Sequence, residues 1–364
     1  MGPGNLAGAS VGTTAVGAPP RPDALVYIAN LHSDTVSVVD TGMVVDSVPV
    51  ADGPDSVAVS PDGARVYVTN SASDTVSVID ARTRTVIATV AVGDEPSRVT
   101  VSPDNRNVYV ANVGSDDVSV ISTRTRAVTD TIAVGDAPLG VAVAPDGCTL
   151  YVANAASDTV SVVRTATRTV TGTIPVGSGP TALVPTPDGR RLYVSNLTSD
   201  DVSIVDVHDG AETDRIPVGD QPAGIGVLPD GRQVYVANIG SDNVSVISTR
   251  GRAVTETVAG GDGPNGLAVG PDGSLVYVSN FDSDTLSVID TSTARVTDTV
   301  TVGDGPTGVA AVQPLQGRAQ EGGFGWVAAR VWGLRSGDEA SRGSQTSHRH
   351  PHGGPGDPPG GGGR

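Results

Sequence analysis

Carboxylates set at a fixed interval are the side chains of this sequence with the widest chemical reach. Asp34, Asp74, Asp116, Asp158, Asp200, Asp242 and Asp284 each follow a serine, and Asp52, Asp94, Asp136, Asp220, Asp262 and Asp304 each stand two residues before a proline. Gathered on one surface, they would attract a basic peptide, a polyamine or a hard cation such as Ca²⁺. The same placement suits a plainer task, since Asp in tight turns hydrogen-bonds nearby backbone. No loop carries the spaced Asp-x-Asp-x-Asp-Gly signature, so no dedicated metal site and no cofactor is expected. A second feature breaks the regularity. The pairs that follow the recurring prolines read Asp55-Ser56, Ser97-Arg98, Leu139-Gly140, Thr181-Ala182, Ala223-Gly224, Asn265-Gly266 and Thr307-Gly308. Arg98 is the one cation among them, and Glu95 precedes it where other copies have Gly, Ala or Gln. A guanidinium there could grip a carboxylate or phosphate, or pair with neighbouring aspartates. His32 and Phe281 are likewise single occurrences beside the Asn-led loops.

These residues must be positioned by a repeated unit. All seven tyrosines, Tyr27, Tyr67, Tyr109, Tyr151, Tyr193, Tyr235 and Tyr277, recur once at 40 and five times at 42 residues, the mark of a repeat array. The stretch from Gly263 to Gly303 shows the unit most clearly. A strand over 266–270 leads to the Pro271-Asp272-Gly273 turn, then a strand over 275–279 closed by Asn280. A loop through Asp282 and Asp284 leads to the alternating strand 285–289, and a Thr-rich turn to a strand over 295–302. Four short antiparallel strands per copy make a propeller blade. The expected fold is all-β, a seven-bladed β-propeller. The first copy lacks its inner strand, and Pro306 to Val312 is an inner strand with no tyrosine strand after it, so the last closes the first.

Tyr67-Val68-Thr69-Asn70, with the Pro-Asp-Gly turn upstream of it, is the tetrapeptide after which the YVTN β-propeller repeat family is named, and residues 24–312 resemble that family in seven copies. The resemblance implies a surface or secreted protein, hence an extracytoplasmic location, although residues 1–23 show no signal peptide. Seven-bladed lactone hydrolases are similar in architecture, which makes a lactonase-like hydrolase acting on a small anionic substrate near Arg98 the alternative function.

Charge decides the leading expectation. The chain carries a net charge of −17 and no lysine; residues 313–364 hold six Arg against four acids, leaving −19 on the preceding part. The loops with the serial aspartates should emerge on one face and those with Arg82, Arg84, Arg124, Arg126, Arg168, Arg250, Arg252 and Arg295 on the other. Such a field disfavours nucleic acid. The repeats over residues 24–312 hold no Gly-x-Ser-x-Gly elbow and no His-Glu-x-x-His, and His32 and His208 are placed on opposite faces. Cys148 stands alone, so no internal disulfide is available. No apolar run is long enough to span a membrane. The expectation is therefore a monomeric, non-enzymatic binding or surface-interaction module, without catalytic residues, that engages a protein, basic peptide or cations. Its ligand-binding candidates are Arg98, Glu95, His32, Phe281, Asp34, Asp74, Asp116, Asp158, Asp200, Asp242 and Asp284. Residues 1–23 are expected to form a flexible segment, and 313–364, rich in Gly, Pro, Arg and His, a disordered tail read as a frame-shifted or decayed extension.

Overall fold

The tyrosine strand and third strand of each repeat are too apolar to face water on either side, and they are buried by stacking sheet against sheet. In the computed structural model, which describes residues 24–313, 28 strands form seven four-stranded antiparallel sheets, with no helix among the described residues. The expectations for residues 1–23 and for the tail from 314 onward lie outside the described residues. Blade 2 shows the order from channel to periphery: inner strand Pro54–Val59, tyrosine strand Arg65–Asn70, third strand Thr75–Asp80 and outer strand Thr85–Ala91. Blade 1 is composite. Its strands Leu25–Asn30, Thr35–Asp40 and Met43–Pro49 take their inner partner, Pro306–Val312, from the far end of the ring. Leu25 lies opposite Val312 and Ile28 opposite Val309.

Burial follows this order. The tyrosine strands are buried at nearly every position, the third strands at their central four, and the outer strands expose all but one or a few residues. The tyrosines are 0–6% exposed, and each inserts into the next blade, as Tyr67 does among Val99, Val108, Val110 and Ile121. Burial pushes the phenols of Tyr27, Tyr67, Tyr109, Tyr151, Tyr193 and Tyr235 above their ordinary range, Tyr235 up to about 12. With few aromatics available, Val and Ile fill the remaining space because β-branched side chains suit a pleated surface packed on both sides.

The two sets of loops at each end of the strands separate the charges. On one face lie the Pro-Asp-Gly turns and the Arg-bearing hairpins. There Arg84 reaches Asp46, Arg168 reaches Asp130 and Arg252 reaches Asp214, each pair joining a hairpin to the outer strand of the preceding blade. Asp62, Asp104, Asp188 and Asp290 are held below the usual carboxylate range, first by the hydroxyls of Ser60, Ser102, Thr186 and Ser292. A depressed folded pKa stabilises the native state above the unfolded value of 3.8 and is lost as pH falls through the folded value. Thermal stability is thus expected to drop on acidification below about pH 4, and Asp188→Asn to flatten that drop in a pH series of melting curves.

Candidate functional site

On the opposite face, the serial aspartates tie each blade to the next. Asp34, Asp74, Asp116, Asp158, Asp200, Asp242 and Asp284 all adopt a left-handed backbone, with φ between 51 and 57°, a conformation Asp tolerates better than most residues. Each Oδ1 accepts the backbone NH of the residue just before the next blade's proline: Gly53, Glu95, Ala137, Gly179, Gln221, Gly263 and Gly305, at 2.8–2.9 Å. Three of these recipients, Glu95, Ala137 and Gln221, are themselves left-handed without being glycine. Relieving that strain should help, so Ala137→Gly and Gln221→Gly are each expected to raise stability by about 0.5–1 kcal/mol. An unchanged denaturant midpoint for both would contradict this.

Below this rim, Asn30, Asn70, Asn112, Asn154, Asn196, Asn238 and Asn280 are fully buried. Each donates its Nδ2 to a serine on the adjacent strand, as Asn154 does to Ser161 at 2.9 Å. Inside that ring, the residues after the asparagines, Leu31, Ser71, Val113, Ala155, Leu197, Ile239 and Phe281, are partly buried and form a collar. Ser71 is its one polar member. The polar break continues inward through blades 2 and 3, where a depression of about 440 Å³ is lined by Leu31, Asp55, Ser71, Glu95, Ser97 and Leu139 among others.

The backbone explains why side chains converge there. In blade 3 the inner strand Pro96–Val101 pairs Pro96 with Asn112 and then Val99 with Val110, so a bulge releases Ser97 and Arg98 from regular pairing. Bulges re-aim side chains in this way. Ser97 is fixed from two sides: its Oγ donates to Asp55 Oδ2 at 2.9 Å, and its carbonyl accepts Thr69 Oγ1 at 2.6 Å. Both partners belong to blade 2. Arg98, next along, is partly buried and makes no ion pair or hydrogen bond among the described residues. Burial pushes its guanidinium below its usual range, and the nearby Asp55 acts in the other direction. Pairing with aspartates, one of the two roles expected for Arg98, is therefore limited to this longer-range attraction.

The two single occurrences, His32 and Phe281, meet at the seam where the ring closes. Their rings stand edge to face with centroids 5.3 Å apart, and His32 Nδ1 lies 3.4 Å from Asp304 Oδ1. His208 sits in the hairpin after Asp206, on the other face. The rim aspartates, Arg98 with Glu95, and His32 with Phe281 are thus three groups on one face. Sequence reasoning overlooked Asp55, although it is the sole carboxylate among the residue pairs that follow the prolines.

The model of the family "Lactonase, 7-bladed beta-propeller" matches residues 22–173, 164–250 and 212–312, which together span the whole ring. The chain belongs to the seven-bladed lactonase family. Solved structures agree on the fold. A candidate 6-phosphogluconolactonase from Bacteroides uniformis superposes with a TM-score of 0.69 at 18% identity, covering 80% of this chain and 100% of that one. A similarly described protein from Bacteroides fragilis gives 0.67 at 20%, covering 81% and 99%. The hydrazine synthase of Kuenenia stuttgartiensis gives 0.65 at 24%, covering 72% and 90%. No curated protein matches the chain. Lactonase membership overturns the expectation of a non-enzymatic binding or surface-interaction module and favours the hydrolase alternative. The acidic rim suggested that module, yet seven of its thirteen carboxylates accept loop amides, close to the plainer backbone-bonding role that the sequence also allowed them. No helix of the described residues is long and apolar enough to cross a membrane.

Proposed function

We propose that this lactonase-family chain hydrolyses a small lactone bearing an anionic group, bound at the channel mouth between blades 2 and 3. The observation that carries this reading is the depression of about 440 Å³ lined by Asp55, Glu95 and Ser97, with Arg98 next along the strand from Ser97, partly buried and held by no hydrogen bond or ion pair, only by the longer-range attraction of Asp55. An unpaired charge in that position is costly, and an entering anion offsets the cost. In lactone hydrolysis, water attacks the acyl carbon, the carbonyl oxygen becomes an oxyanion, and the ring C–O bond breaks to give a hydroxy acid. A fixed cation stabilises the oxyanion or the anionic substituent without reorganising at the moment of reaction. Asp55 and Thr69 hold Ser97 beside it, and Leu31, Val113 and Leu139 supply the apolar walls that a sugar ring or short alkyl chain requires. We read the YVTN-type repeat as the scaffold's sequence style, with its Tyr and Asn in packing and capping roles.

The test is a panel of lactones of one ring size, with and without a carboxylate or phosphate substituent, assayed by acid release with the full chain. Turnover of the anionic members above the neutral ones is the expected result. Preference for neutral lactones, or no turnover of any, would refute the reading.

A further inference from the structure

The seam between blades 7 and 1 holds a group that the site above does not use. At six of the seven blade junctions the backbone NH of the second residue after the buried Asn donates to the loop from the preceding blade. Gly114 thus donates to the Asp94 carbonyl, Ala156 to Asp136, Gly240 to Asp220 and Asp282 to Asp262. At the seam the same bond joins His32 to Asp304 at 3.2 Å. Only there is the residue a histidine, and the common geometry brings an imidazole onto a carboxylate. Three contacts seat the ring: Asp304 Oδ1 on Nδ1, Phe281 edge to face, and Gly305 beneath it. A Cβ at position 305 would fall 2.8 Å from Nδ1, so the seat depends on glycine, which also adopts φ +64° there. The His32 and Asp304 side chains are 53% and 66% exposed, and an ion pair so exposed contributes little to stability. The arrangement therefore has no evident structural task. Its position is at the channel mouth: the preceding residue, Leu31, lines the depression beside Asp55 and Ser97, and Phe281 belongs to the same collar.

Resting on the lactonase reading, we propose that His32, oriented by Asp304, is the base that activates water for lactone hydrolysis at this mouth. A proton on Nδ1, the nitrogen 3.4 Å from Asp304 Oδ1, leaves the lone pair on Nε2, and an imidazole is a better proton acceptor near neutral pH than a carboxylate. Nε2 takes a proton from water as the water oxygen bonds to the acyl carbon. When the ring C–O bond breaks, the imidazolium returns that proton to the departing alkoxide oxygen. The product acid ionises to solvent, and no oxidant or co-reactant is needed.

His32→Gln in the full chain is expected to lower kcat for the best lactone of the panel at least 100-fold. Asp304→Asn should lower it about 10-fold, the loss expected for a group that orients without reacting, and His208→Gln, on the opposite face, should leave it unchanged. Ring ¹⁵N spectra, assigned by loss of signal in His32→Gln, should show the Nδ1-protonated tautomer in the wild type and a mixed population in Asp304→Asn. An active wild type whose rate is indifferent to His32→Gln overturns the base and leaves the lactonase reading standing. A dominant Nε2-protonated tautomer overturns the base as well. A wild type inactive on every lactone overturns both.

Discussion

Arg98→Ala is expected to lower kcat/KM for an anionic lactone by about 10²–10³ while leaving the protein as stable as before, or slightly more so. The two effects separate because of where the guanidinium sits. It makes no hydrogen bond or ion pair that alanine would break, and burial already disfavours its charged form, with only Asp55 opposing. Removing a desolvated, unpartnered charge relieves the folded state. For bound substrate the sign reverses, since the positive charge is what an oxyanion or anionic substituent meets. Arg98→Lys should recover part of the rate, because it keeps the charge but loses the planar fork. Steady-state kinetics and thermal melts on the same preparations test both halves. A large fall in melting temperature with unchanged kcat/KM would show that Arg98 serves packing and would sink the assignment. The expected combination is one in which an active-site residue is retained at the expense of stability.

Gly266→Ala should have the largest effect on stability of any single methyl addition to the ring, a loss of about 3 kcal/mol. Gly266 lies in the bulge of the last complete blade, facing the strand that closes the ring. A Cβ there would collide with the Thr307 carbonyl oxygen and lie 2.9 Å from Ser279 Oγ. Neither neighbour can yield easily: Ser279 Oγ accepts the Gly266 NH at 2.8 Å and donates to the same Thr307 carbonyl. Relief would require the closing strand to move, and that strand supplies blade 1 with its inner edge. Gly172→Ala is the control, since nothing lies within 4 Å of its added carbon in an exposed outer strand. Comparable losses for the two substitutions in chemical denaturation would contradict this account of the seam.

The ring was readable because its tyrosines recur at near-constant spacing and because a lone inner strand was left over at the end, just where the first copy lacked one. Arg98 stood out as well, as the one cation among the residue pairs that follow the prolines. What the linear pattern hid was long-range partnership. The rim aspartates carry the signature of turn residues that bond their own loop, yet their acceptor oxygens serve the amide of the following connection, as Asp158 does for Gly179. His32 and Phe281 stood out separately, but only closure of the ring makes them neighbours and places Asp304 beneath the imidazole. Asp55 was visible as a carboxylate without a stated role, because its partner Ser97 lies in another blade. Function was misordered for a related reason: without a contiguous catalytic motif, the conspicuous acidic rim outweighed a few residues dispersed over blades 1, 2, 3 and 7.

The composite first blade also dictates an order of assembly on the ribosome. Blades 2 to 7 each contain their four strands in one contiguous stretch and can complete their hydrogen bonding as they emerge. The strands over residues 25–49 appear first and wait longest, with the edge of Leu25–Asn30 unpaired until residues 306–312 have been synthesised. The amino-terminal strands are therefore the part of the nascent ring that a chaperone would have to shield. The substrate mouth, which borrows Leu31 from that blade, is finished only when translation of the propeller is.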